Sequence, residues 1–471
     1  MIDQQEALEQ VRLRLPEVEF IVDLEELAGL SLDTYWTAKA RAYFGKPFKA
    51  DGAARPRDAA QVAALLAAAS EVGLQVVPRS GGSGSQGGAV PQLGGLIVDM
   101  SAMNQIIELD EASRTVTVQA GVGGWDLEEW LNERGYMFPH YPASVHLAQV
   151  GGYLAAKGSG TMSTKYGKIE DLVASMEVAL PSGELIRTPA VPRHAVGPDL
   201  NQLYIGSEGT LGIITETTLL VRELPEHRGF ATYTFPDLAS GMHAVRDIIH
   251  KGWRPALARL YDDSATRTNL SKAVGDELTG IYLTMMFDGP RPLVDVELAQ
   301  AEAMLAAAGG TSLGPELAQG LWENRYKIYY AKDWPDLPKM WGTADIVASY
   351  DRILPAYEAL SECMAGYADH NLEFSGHLSH WYPWGTMVYG RWVIPQAPDD
   401  MDEAIALYDE IWRKSSEVIL AAGALLNDHH GIGLKLADDV EDQFGPAFGV
   451  LRSIKGALDP AGIMNRGKLG L

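Results

Sequence analysis

The apolar runs along this chain are short and differ in period. "LQVVP" (74–78) and "GLIVDM" (95–100) have the brevity and β-branching of buried strands, and "RTVTVQAG" (114–121) alternates apolar and polar residues at period two. Before them, "DAAQVAALLAAASEVG" (58–73) has helical composition, an Asp58 suited to an N-cap and a closing Gly73, and predicts a helix. A helix at "WDLEEWLNERG" follows, then a glycine-rich passage "VGGYLAAKGSGTMSTKYG" and strand candidates in "VASMEVALPSGELIRT" and "GTLGIITETTLLV". "PSGE" makes a turn, since Pro presets one dihedral and Gly accepts positive φ.

Strand, helix and loop interleave in this way up to about residue 222. Beyond it the helices lengthen ("LVDVELAQAEAMLAAAGG", "LYDEIWRKSSEVILAAG") and are separated by strands such as "IYLTMMF" and "TMVYGRWVI". This predicts an α+β chain in four parts: an N-terminal helical segment (1–45), a first α+β domain (46–224), a second (225–423), and a C-terminal segment (424–471) that returns to the first domain. A length of 471 residues suits more than one core.

Charge and cysteine usage narrow the classes. Lys and Arg number 38 against 62 Asp and Glu, a net charge of −24 that matches neither nucleic acid nor an anionic membrane. Cys363 is the only cysteine, so an intramolecular disulfide, a thiolate zinc cage and a cysteine-held iron–sulfur cluster are excluded within the chain. The acidic N-terminus lacks a signal-type apolar core and no run could span a bilayer, so a cytoplasmic location is expected.

The stretch "PRSGGSGSQGG" (78–88) lies between two predicted buried strands, where a flexible linker is out of place. It does not open a helix, so it is no Rossmann fingerprint, and the chain has no G-x-x-x-x-G-K-[ST]. Successive backbone N–H groups with the hydroxyls of Ser80, Ser83 and Ser85 could still form a nest for phosphate.

"PRSGGSGSQGGAV", "QVGGYLAAKGSGTMSTKYGKIEDLV", "GSEGTLGIITE" and "LDPAGIMNRGKL" occur in an order that resembles the vanillyl-alcohol oxidase and p-cresol methylhydroxylase superfamily. "PRHAVGPDL", "RPALARLYDD", "HWYPWG" and "DHHGIG" are most similar to its alkyl-dihydroxyacetonephosphate synthase branch, with the D-lactate, glycolate and D-2-hydroxyglutarate dehydrogenases further off. The resemblance implies a two-subdomain PCMH-type FAD-binding domain and an α+β cap domain with an antiparallel sheet. It also implies FAD held by Pro78, Arg79, Ser80, Gly81, Gly82, Ser83, Gly84, Ser85 and Gly88; by Pro142, Ser144, Val150, Gly151, Gly152 and Gly158; and by Glu208, Gly209, Thr210, Ile213 and Asn465. Relatives that tether the flavin through this loop have a histidine near the position of Ser83, so non-covalent FAD is expected.

On the substrate side the resemblance implies catalytic roles for Tyr382, His429 and His430, with Arg259 and Lys332 orienting an anionic group. The hydroxy-acid dehydrogenases hold a divalent metal on two histidines and a glutamate; here His377 matches the first, Trp384 stands at the second and His429 replaces the glutamate. No metal is therefore expected, although His377, His380, His429 and His430 could make a remodelled site. Against the ether-lipid branch, Lys332 stands in the place of an arginine and a triple histidine is reduced to "DHH", which puts an acyl-phosphate substrate in doubt. Trp334, Trp341, Trp381, Trp384 and Trp392 would suit a bulky or aromatic small molecule.

The expected reaction is oxidation of a CH–OH group of a 2-hydroxy acid or related secondary or aromatic alcohol, with dioxygen or a carrier protein as electron acceptor. A non-redox transfer through a flavin–substrate adduct is the alternative, and a homodimer is a further expectation.

Overall fold

A computed structural model describes residues 3–326 and 337–471. Asp58 accepts from the Gln61 N–H and Gly73 closes the helix Ala59–Val72 at φ 72°, so this helix follows its sequence signals. It packs behind a four-stranded sheet of β1 (Glu19–Ile21), β2 (Gly52–Arg55), β3 (Val76–Arg79) and β4 (Leu96–Asp99), in the order β1-β2-β4-β3. Strands β2, β4 and β3 run parallel, which leaves the glycine stretch as the connection between two buried parallel strands.

A second sheet is antiparallel, in the order β5-β6-β10-β8-β9: β5 (Ile106–Asp110), β6 (Thr115–Gln119), β8 (Val173–Ala179), β9 (Leu185–Arg187) and β10 (Ile213–Leu220). A short pair, β7 (Tyr136–Met137) with β11 (Arg222–Glu223), lies beside it. The expected turn at "PSGE" is present, with Gly183 at φ 85° between β8 and β9.

The larger sheet has eight strands in the order β15-β12-β14-β13-β17-β18-β16-β19. They are β12 (His227–Phe235), β13 (Leu257–Tyr261), β14 (Ile281–Gly289), β15 (Thr311–Gly314), β16 (Met340–Ser349), β17 (Glu373–Tyr382), β18 (Gly385–Ile394) and β19 (Leu425–Leu426). Every pairing in it is antiparallel. Alternation sorts its side chains: Leu260, Leu283, Ile346, Leu378, Val388 and Trp392 turn to the core shared with helices such as Met401–Ala421, while the intervening polar residues face the other way. Trp381 and Trp392 are core residues, and the Trp381 indole donates to the Ala258 carbonyl. Trp384 is 74% exposed at the β17–β18 turn, and Trp334 lies outside the described residues.

The C-terminal stretch crosses back to the first sheet. Val76 N–H donates to Ile463 O and Asn465 N–H to Val76 O. No helix among the described residues is long and apolar enough to cross a membrane.

Candidate functional site

One cavity of about 440 Å³ lies between the glycine-rich loops and the polar face of the eight-stranded sheet. Its first wall is backbone. At Gly81 a Cβ would lie 1.8 Å from the Leu147 carbonyl oxygen, and at Gly160 1.2 Å from that of His140, so loops 78–88, 140–149 and 158–161 meet only because these positions have no side chain. Arg79 lies beneath the loop: it donates to Leu32 O at 2.7 Å, and a Cβ at Gly82, whose φ is 64°, would meet its guanidinium.

Of the residues expected to hold FAD, Pro78, Ser80, Gly81, Gly82, Ser83, Gly84, Ser85, Gly88, Pro142, Ser144, Gly151, Gly152, Gly158, Glu208, Gly209 and Ile213 line this cavity. Arg79, Val150, Thr210 and Asn465 stand behind the lining. Val150 is wholly buried, Thr210 donates to Ser207 O, and Asn465 ties the Gly88 and Glu208 carbonyls together. Glu208 accepts from the N–H groups of Ile432 and Gly433, which joins the C-terminal segment to this wall. Burial pushes its carboxyl up to about 7, against the pull of those N–H groups and Lys468.

The wall also holds polar atoms that no described residue satisfies: both amide atoms of Gln86, Gln149 Oε1, Asp33 Oδ2 and both ring nitrogens of His140. Buried polar groups without partners are costly, so a cradle of this kind fits a large polar molecule that supplies them. A dinucleotide cofactor with an anionic middle meets that description.

The opposite wall is made of side chains. On the polar face of the eight-stranded sheet stand Trp341 and Thr343 of β16, Tyr389 and Arg391 of β18, His377 and Ser379 of β17, and Arg259 of β13. His377 lies between Tyr261 and Tyr389, at ring distances of 5.5 and 5.1 Å, and burial and the Arg259 charge hold it neutral, far below its ordinary value. In β17 the register shifts between Leu378 and Trp381, so Ser379 and His380 stand together against Met387. This β-bulge turns both residues into the cavity.

Two carboxylates organise the histidines. Asp428 Oδ2 faces His380 Nδ1 at 2.9 Å and His429 Nδ1 at 3.1 Å, while its Oδ1 accepts from the Tyr382 hydroxyl at 2.9 Å. Lys168 Nζ lies 3.7 Å from Oδ1 and donates to the Asp428 carbonyl. Asp345 accepts from the N–H groups of Asp428 and His429 and faces His430 Nδ1 at 2.7 Å. Burial opposes ionisation of Asp428, but the bonds to His380 and His429 and the charge of Lys168 outweigh it and hold the carboxyl well below the usual range. Asp345 is held down in the same way by His430 and His429.

With Nδ1 of each ring committed to a carboxylate, Nε2 is the nitrogen available to a bound molecule. His429, His430 and Arg259 line the cavity. Tyr382 does not: its hydroxyl is spent on Asp428, one layer behind. Lys332 lies outside the described residues. Of the tryptophans, only Trp341 lines the cavity among the described residues. Two groups of ligating atoms lie close enough to share a cation, Asp345 with His429 and His430, and His380 with Asp428 and His429.

Sequence reasoning had read Asp428 as a missing histidine and had not considered Asp345, His140 or Arg391. A signal existed for two of them: Asp345 and Arg391 are lone charges inside otherwise apolar strands, "MWGTADIVAS" and "GTMVYGRWVI".

Comparison with known proteins decides the family. Residues 50–189 match the FAD binding domain model and residues 224–469 the model for the C-terminal domain of FAD linked oxidases. The chain belongs to the FAD-linked oxidases. It is therefore an FAD-dependent enzyme. It is 26% identical to alkyldihydroxyacetonephosphate synthase of Trypanosoma brucei brucei over 99% of this chain and 83% of that one. To glycolate oxidase subunit GlcD of Bacillus subtilis it is 28% identical, over 89% and 88%. The crystal structure of p-cresol methylhydroxylase with substrate bound shares the fold, with a TM-score of 0.79 at 18% identity over 99% of this chain and 96% of that one.

Proposed function

We propose that this FAD-linked oxidase oxidises the CH–OH carbon of a 2-hydroxy acid or a related secondary or aromatic alcohol. The observation that carries this reading is the pair His380 and His429 on one Asp428 oxygen, at one end of the cavity that Arg259 also lines. When bound, FAD supplies a two-electron acceptor for the hydride of the substrate C–H bond. The chain supplies the rest. A neutral imidazole whose Nδ1–H faces Asp428 takes the hydroxyl proton at Nε2, and the carboxylate stabilises the imidazolium that results. Arg259 holds the substrate carboxylate, a planar anion that a guanidinium grips with two parallel bonds. Loss of hydride from carbon and of the proton from oxygen leaves the carbonyl compound, a ketone where the alcohol is secondary.

Tyr382 is a positioning residue in this scheme, since it reaches the chemistry only through Asp428. Non-covalent FAD is supported by Ser83, a hydroxyl at the loop position where tethering relatives have an imidazole; acid precipitation is expected to release the flavin into the supernatant. Dioxygen or a carrier protein would reoxidise it.

The similarity to alkyldihydroxyacetonephosphate synthase over nearly the whole chain supports a second reading, a non-redox group transfer. Anaerobic mixing with hydroxy acids and aromatic alcohols separates the two. Oxidation bleaches the flavin and releases one carbonyl product per flavin. An oxidised spectrum with every alcohol, together with exchange of an acyl group, would overturn the first reading.

A further inference from the structure

We infer that the cavity holds a second anion-binding subsite, built by Arg391, Thr343 and Asn269, and that the substrate carries an anionic group at each end. The inference rests on the proposed oxidation of a hydroxy acid and adds the substrate's far end. Arg391 lines the cavity and makes no ion pair or side-chain hydrogen bond with any described residue. Its neighbours in register are Thr343 on β16 and Ser375 on β17, neither of them acidic. Thr343 is 5% exposed, lines the cavity, and its hydroxyl has no partner among the described residues. A guanidinium with no counter-ion among the described residues, beside a buried hydroxyl in the same condition, is unfavourable unless an oxyanion satisfies both.

Asn269 completes the subsite from a different element. It lies in the π-helical turn Thr266–Leu270, whose widened backbone is a common device for turning a side chain into a site, and it lines the cavity. That turn is anchored to the same end of β17, because Ser264 Oγ donates to the carbonyl of Phe374, the residue before Ser375.

Arg259 and Arg391 stand at opposite corners of one sheet face. Arg259 precedes the Leu260–Leu378 pair on β13, and Arg391 opposes Ser375 from β18 on the other side of β17. Two strand spacings across and about four residues along separate their Cα atoms by roughly 16 Å. Between them lies the His377–Tyr389 stack, an apolar floor for a carbon skeleton. The substrate class this fits is a hydroxy acid whose carboxylate meets Arg259 and whose second oxyanion, a carboxylate or a phosphate, meets Arg391.

The test uses the FAD-loaded enzyme and its Arg391→Met variant. Binding is read first, without turnover, by titrating straight-chain dicarboxylates from succinate to sebacate and the matching monocarboxylates, with the flavin absorbance as signal. In the native enzyme one dicarboxylate length is expected to bind at least about tenfold tighter than its monocarboxylate, and Arg391→Met to abolish that preference with flavin content and monocarboxylate affinity unchanged. Terminal phosphates in the same series tell which oxyanion is preferred. No preference for a second anion in the native enzyme, or equal weakening of both series in the variant, would overturn the subsite. Because this readout needs no oxidation, a failed hydroxy-acid oxidation leaves it standing as a separate result.

Discussion

The two walls of the cavity are made by opposite means. The wall of glycine-rich loops is backbone: Gly81 and Gly160 let loops close to distances that no Cβ would permit, and the Gln86 amide and the His140 imidazole there have no partner among the described residues. The cap wall is side chains, built on an antiparallel sheet, and its histidines His380, His429 and His430 are paired through Asp345 and Asp428. A backbone wall recognises a constant molecule, because its shape leaves little to vary. A side-chain wall can be changed one residue at a time, and on the proposed reading this is where the substrate is selected.

The largest effect is expected on the backbone wall. Gly81→Ala places a methyl group 1.8 Å from the Leu147 carbonyl oxygen, and neither strand nor loop can retreat by the distance required. The variant should purify without colour and bind added FAD at least about 100-fold more weakly, since displacement of packed backbone costs on the order of 3 kcal/mol. Fluorescence titration with FAD checks this. Near-normal affinity would show that the loop yields, and the contrast between the walls would dissolve.

A graded effect is expected on the side-chain wall. Asp428→Asn keeps the shape and removes the charge that His380, His429 and Lys168 share. Turnover should fall by about 100- to 1000-fold, and the unpaired Lys168 ammonium should cost several kcal/mol of stability. Tyr382→Phe deletes one hydrogen bond to the same carboxylate and should cost less than about tenfold. Rapid-mixing measurement of flavin reduction in both variants ranks them. If Tyr382→Phe is as damaging as Asp428→Asn, the phenol takes part in proton transfer directly and the imidazole assignment is wrong.

The same contrast explains how much was legible in the sequence. The helix Ala59–Val72 announces itself through Asp58 and Gly73, and the glycine loop through its position between two short apolar runs, because each depends on neighbours in the chain. The cap site depends on neighbours in space. Asp428 meets His380 across 48 positions and Asp345 across 83, and His380 faces the cavity through a bulge that alternation alone would not place. The tryptophans misled for the same reason: composition said that indole was plentiful, but strand register sends Trp392 to the core and the hairpin turn sends Trp384 to solvent. Tyr382 is grouped with the histidines as a catalytic candidate by the sequence, but its hydroxyl meets Asp428 outside the cavity, and the burial of Asp428 between them cannot be read from "DHH".

A pH-dependent effect on stability concerns His140, where the walls meet. Its ring is fully buried, packs 4.7 Å from Tyr153, and has no partner on either nitrogen among the described residues. Burial first, then the charges of His380 and His429 from the other wall and of Lys168, push its value from 6.5 down to about 3. As the pH falls from 6.5 toward 3, the unfolded chain therefore takes up a proton that the folded chain refuses, and stability is lost; above 6.5 the contribution is fully present. His140→Phe removes this dependence. Urea unfolding of the flavin-free protein from about pH 7 to about pH 4 should show the native chain losing a few kcal/mol more than the variant. Parallel pH profiles would mean that His140 gains a proton while folded, and so that the seam between the walls admits water.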